Sequence, residues 1–166
     1  MSNGESAQGI FEGYDGGEQP LPSYAAVAGL FNLIFALFLL IARKTGRPIP
    51  ERMETRDIAL LGVATHKLSL LLAQDAVTSP LRAPFTELQE KRSPKNVDEK
   101  PRGTGLKRSL GELVTCKFCV GQWVASFFTY GLVFAPAITR LVASIFAIVA
   151  LSDYLHQTYK ALTTRA

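Results

Sequence analysis

Both cysteines of this 166-residue chain fall in one run, Gly111-Glu-Leu-Val-Thr-Cys116-Lys-Phe-Cys119-Val-Gly121-Gln-Trp123. A pair at this spacing can do two kinds of chemistry. Zinc takes four ligands, and Cys116 and Cys119, with Gly121 permitting a tight turn, resemble half of a zinc knuckle. The missing ligands would come from a second copy of the chain or from His66 or His156, and nothing in the sequence brings these near. Redox exchange asks for a thiolate, which a helix N-terminus and the neighbouring Lys117 would favour by lowering a thiol pKa. On the cytoplasmic side of a membrane such a pair is expected to rest reduced. The plain alternative is two small thiols packing where the chain meets a bilayer.

Other chemistry is sparse. His66 and His156 lack a Glu or His at metalloprotease spacing. There is no P-loop, no G-x-S-x-G element and no glycine-rich dinucleotide fingerprint. No catalytic residue and no bound cofactor are therefore assigned, apart from zinc shared between subunits as the alternative at the cysteines. An enzyme is not expected.

The elements that must position these residues are membrane-like. Apolar residues make up 48% of the chain, with mean hydropathy +0.16, and they cluster in 24–42, 58–77, 118–134 and 137–151. Residues 1–42 hold no Lys or Arg and four acids, whereas 43–117 holds fifteen of the eighteen basic residues. These bases alternate with acids and lack interleaved aromatics for stacking on nucleobases. They read as juxtamembrane charge, and nucleic acid is not an expected partner.

Residues 1–23, acidic and rich in Gly and Pro, read as a disordered tail and not as a secretory signal, which needs a basic start. Residues 24–42 are nineteen uncharged residues before Arg43, close to the roughly twenty that cross a bilayer. Residues 57–77 are helical by spacing, with Gly62, Thr65, His66, Ser69 and Ala73 on one side for close helix packing. Pro80 is expected to end that helix. Residues 79–115, with many turn formers and charges, read as a solvated cytoplasmic loop. Residues 118–155 would extend about 57 Å as one helix, nearly twice the hydrocarbon thickness, so a break at Ala135-Pro136 and a terminal helical hairpin are expected. Residues 156–166 form a short tail.

The expected fold is thus all-α, an integral membrane helical bundle of three or four transmembrane helices with a C-terminal hairpin. Nine Lys or Arg in 79–117, with Lys160 and Arg165 beyond, place the loop and the C-terminus in the cytoplasm of a multi-pass cell-membrane protein. The five bases in 43–56 favour three spans, whereas the apolar length of 57–77 favours four. Four is the preferred count. Lys67, Asp75, Arg140 and Asp153 are the ionisable residues nearest the spans, too few to nominate a transport pathway.

Lys67-Leu-Ser, the run from Asp75 through Pro80 and Arg82 to Phe85, and the Gly111-to-Trp123 run together resemble a bacterial membrane-protein family, domain of unknown function 1360. Members share a basic helix, an Asp followed by a Pro-Leu-Arg turn, and a Gly-Glu-Leu, C-x-x-C, Gly-x-Trp block before a hairpin. The resemblance covers about 57–155 and carries Lys67, Asp75, Pro80, Arg82, Gly111, Glu112, Gly121 and Trp123 as motif residues. Leu70 and Gln122 depart from the pattern, and the first span looks like an addition to a shorter core. The resemblance implies pairing of Asp75 with Arg82 across the turn, or of Glu112 with Arg82 or Lys117. Some members are associated with sporulation, but the family implies no chemistry. The functional expectation is a non-catalytic scaffold or interaction protein, in contact with the bilayer and with itself or a membrane-protein partner. A membrane thiol protein is the alternative.

Overall fold

The computed structural model describes residues 21–91 and 96–164. The acidic N-terminal tail expected over 1–23 therefore lies almost wholly outside the described residues. Helix α1 spans Leu21–Lys44, about 36 Å long. Pro22 is tolerated in its first turn, where its missing N–H has no partner to lose. Arg43 and Lys44 complement the negative end of the helix dipole. Gly46, at φ +63°, turns the chain out of the helix.

Helix α2, Thr55–Gln74, ends three residues before the expected Val77, because Asp75 is extended. A 3₁₀ turn, Ala76–Thr78, and a four-residue helix α3, Ser79–Arg82, follow. Pro80 thus opens a helix instead of stopping one, taking a first-turn position that needs no N–H.

The region read as a solvated loop is built from regular elements. Strand β1, Thr86–Lys91, pairs antiparallel with β2, Val97–Pro101, with a bulge between Leu88 and Glu90. A bridge between Asp75 and Asn96 ties this hairpin to the end of α2. Helix α4, Gly105–Thr115, packs on β2. The fold is mostly helical, as the all-α expectation has it, with this one small two-stranded sheet added among the described residues.

Helix α5, Lys117–Phe134, and α6, Pro136–Thr163, are separated by Ala135, whose φ of −145° and ψ of 65° break the helix. The two cross closely there, since a Cβ on Gly131 would stand 2.5 Å from Thr139 Oγ1. The core lies between α2, α5 and α6. Leu61 and Ala64 meet Val120, Val124, Phe128 and Ala143, at spacings of three and four that put each set on one helix face. Thr139, Ala143, Ala147 and Ala150 give α6 a narrow buried stripe that lets α2 approach. Thr65 and Ser69 of α2 lie where a Cβ on Gly121 would make ordinary contact.

Helix α1 rests on α5 through aromatic rings. Phe31 meets Trp123 edge-to-face at 5.2 Å, and Phe38 stacks on Tyr130 at 4.2 Å. These pairings make α1 parallel to α5, while Asp57 with Arg140 and Lys67 with Asp153 make α2 parallel to α6. The starts of α1 and α5 and the ends of α2 and α6 consequently share one end with the hairpin and α4.

Candidate functional site: a buried arginine and the cysteine pair

Arg82 is only 2% exposed and is the largest fully buried side chain among the described residues. Its Nε and Nη2 donate to the two carboxylate oxygens of Glu99 at 2.9 and 3.0 Å, a fork-to-fork pair. Nη1 donates to the Leu72 carbonyl at 2.7 Å and to Thr78 Oγ1 at 2.6 Å, and Nη2 to the Asp75 carbonyl at 3.1 Å. The guanidinium therefore caps the C-terminal carbonyls of α2 while holding β2. Ser79 and Thr86 hydroxyls reach the Glu99 oxygens at 3.0 and 2.9 Å. Burial pushes the Glu99 carboxyl up, but hydrogen bonds from Arg82, Thr86 and Ser79, with the Arg82 charge, outweigh it and hold the pKa below the usual range.

This arrangement corrects the expected pairing. Asp75 contributes its backbone carbonyl, not its carboxylate, and the acid that meets Arg82 is Glu99. Glu112 pairs with Arg108 one turn earlier and accepts the Tyr24 hydroxyl of α1, so it joins α4 to α1 and meets neither Arg82 nor Lys117. Gly111 is fixed by packing: a Cβ there would sit 2.5 Å from the Phe85 carbonyl oxygen and 2.9 Å from Pro101 Cβ. Only glycine lets α4 lie this close to the hairpin.

Four charges on the long helices are paired across α2 and α6. Lys67, 6% exposed, donates to Asp153 at 2.5 Å. Arg140 grips Asp57 through two bonds of 2.9 and 2.7 Å. His66 meets the Tyr154 hydroxyl at 3.2 Å. All three contacts join α2 to α6, which is a fastening role.

Cys116 is the N-cap of α5, its Sγ accepting the Cys119 N–H at 3.2 Å. The two sulfurs lie at disulfide distance, with Cα atoms 5.2 Å apart, where reduced thiols were expected. Among the described residues no group of three or more His, Cys, Asp or Glu could hold a metal ion, so neither His66 nor His156 completes a ligand set with the pair within one chain. Both cysteines line a cavity of about 600 Å³ between α1, α4 and α5, together with Ser109, Glu112, Phe31 and Trp123. Sequence reasoning missed Glu99 and Ser109. Glu99 is one of several acids in a charged run, and nothing local distinguishes it from its neighbours.

Comparison with known proteins agrees with the motif geometry. Residues 60–159 match the family described as Protein of unknown function (DUF1360). The chain belongs to this family. It is 38% identical over 73 residues to a protein named Sporulation protein YjcA from Bacillus subtilis (strain 168), a match covering 42% of this chain and 62% of the relative. No solved structure matches it. The family segment begins inside α2 and ends inside α6, so it holds Arg82, Glu99, Gly111 and both cysteines but not α1.

Proposed function

We propose that this DUF1360 protein is a four-span membrane scaffold whose cytoplasmic end is a folded platform, locked to the spans by Arg82 and Glu99. The observation that carries the reading is the outer surface of the helices. Leu33, Leu37 and Leu40 of α1 and Leu141, Ile145 and Ile148 of α6 are exposed, while Lys67, Asp57, Arg140 and Asp153 are paired between helices. Contiguous apolar surface on this scale asks for lipid. Helices α1 and α6 are each long and apolar enough to cross a membrane. Helices α2 and α5, of 20 and 18 residues, reach about 30 and 27 Å and pack between them.

The antiparallel order puts both described ends and the hairpin on one side. The positive-inside rule makes that side cytoplasmic, with the 45–54 linker outside. The platform exposes Val77, Leu81, Leu88, Leu106 and Phe118, which fits contact with the bilayer surface, a second copy or a membrane partner. The relative's name directs the search for that partner to sporulation. A second reading, a membrane thiol protein, is favoured by the sulfur contact beside a cavity.

The test is labelling of single cysteines, in a Cys116→Ser/Cys119→Ser background, with a membrane-impermeant maleimide. Ile49→Cys labels in intact cells and Leu88→Cys only after permeabilisation. Labelling of both from the same side removes the four-span arrangement.

A further inference from the structure

The cavity beside the cysteines has the features of a redox ligand site. Its walls carry both sulfurs, the edge-to-face rings of Phe31 and Trp123, and Ser109. Ser109 is 2% exposed, and its Oγ is a buried side-chain oxygen with no hydrogen-bond partner. A buried hydroxyl without a partner costs stability, so it calls for an acceptor that arrives from elsewhere. A planar, apolar molecule with a carbonyl at its edge would use the rings and the hydroxyl together. We propose that this cavity binds a lipid-soluble quinone and that Cys116 and Cys119 exchange two electrons with it. The proposal rests on the thiol reading.

The step balances in atoms and electrons. The reduced pair supplies two electrons and two protons, and a quinone accepts the same. Cys119 is exposed, and Cys116 is half-buried as the cap of α5. The Cys119 thiolate adds to the quinone ring, forming a C–S bond. The Cys116 thiolate then attacks Cys119 Sγ; the S–S bond forms, the C–S bond breaks, and both electrons leave with the hydroquinone. The two thiol protons end on the two ring oxygens. Ser109 Oγ donates to one carbonyl and is a positioning residue. The reverse step reduces the disulfide at the expense of the hydroquinone.

The experiment uses the full chain, reduced, desalted and placed in phosphatidylcholine vesicles without quinone. The probe is a fully ring-substituted benzoquinone with a decyl tail, followed by its absorbance. The expected result is one quinone consumed per two thiols lost, with a rate that saturates in quinone. Ser109→Ala raises the half-saturating concentration fivefold or more at a thermal midpoint that does not fall, since it removes an unpartnered buried hydroxyl. Cys116→Ser accumulates the quinone adduct on Cys119, seen by mass spectrometry. A rate linear in quinone and indifferent to Ser109→Ala overturns the proposal. If the pair still exchanges with glutathione disulfide while that rate is linear, thiol exchange stands and the quinone site falls.

Discussion

Replacing Glu99 with Ala tests whether the Arg82–Glu99 pair locks the hairpin to the end of α2. In the folded protein the Glu99 carboxylate takes two charged donors from Arg82 and lies beside the Ser79 and Thr86 hydroxyls. Each hydrogen bond to a charged group contributes about 1.5–3 kcal/mol, so two lost Arg82 bonds amount to about 3–6 kcal/mol. Removing one partner of a buried ion pair costs about 3–5 kcal/mol, because the other charge is left uncompensated, and the two routes agree. The loss is local, since Arg82 still caps α2 through Leu72 and Asp75.

The assay is amide hydrogen exchange of β1, β2 and α4 in detergent, beside the core amides of α5. At about 1.4 kcal/mol per decade, 3–5 kcal/mol lowers hairpin protection by roughly 150- to 5000-fold where exchange follows local opening. The α5 core stays within a factor of a few. A double Arg82→Met/Glu99→Leu variant recovers only the part due to the uncompensated charge, because the Leu72 and Asp75 carbonyls lose the Arg82 donors. Hairpin protection unchanged in Glu99→Ala would refute the reasoning. So would equal loss in the hairpin and α5, which would mean that the pair supports the whole fold and not the platform alone.

The Glu99 carboxyl is held below its usual pKa, so its stabilisation is complete above the unfolded value of about 4.3 and fades as pH falls through the folded value. Hairpin protection is therefore flat from pH 7 to 5 and falls below about 4, a fall that Glu99→Gln abolishes. Gly111→Ala, with its Cβ against the Phe85 carbonyl, lowers stability by about 1–3 kcal/mol, whereas Gly62→Ala, in open space on α2, raises it by up to about 1 kcal/mol; paired thermal melts decide both. Lys67→Met removes the Lys67–Asp153 bond that joins α2 to α6 and lowers the thermal midpoint, whereas Lys67→Arg, which keeps the cation, holds most of it.

The long helices were legible because a continuous apolar run needs no tertiary information: nineteen uncharged residues in 24–42 mark one helix, and the proline inside 118–155 marks the break between two others. The platform was not. Strand recognition rests on alternating apolar residues, yet the residues buried across this hairpin are Thr86, Glu99 and Arg82. A polar interior gives β1 and β2 the composition of a loop. Arg82 was legible as a motif residue but its partner was not, because Glu99 lies seventeen residues away among other acids. The Asp75 pairing failed for a related reason: helix α2 ends at Gln74, and the extended Asp75 presents its carbonyl to the guanidinium.

The cysteines sit at the junction between the short elements of the platform and the long helices. Cys116 terminates α4 and caps α5, so the chain passes from one to the other through the pair. On the opposite side of α4, Gly111 seats against the hairpin that Arg82 fixes to α2. Glu112, four residues before Cys116, holds Tyr24 at the start of α1. Any change at the sulfurs that shifts the end of α4 must therefore act on the α1 contact and the hairpin seat together.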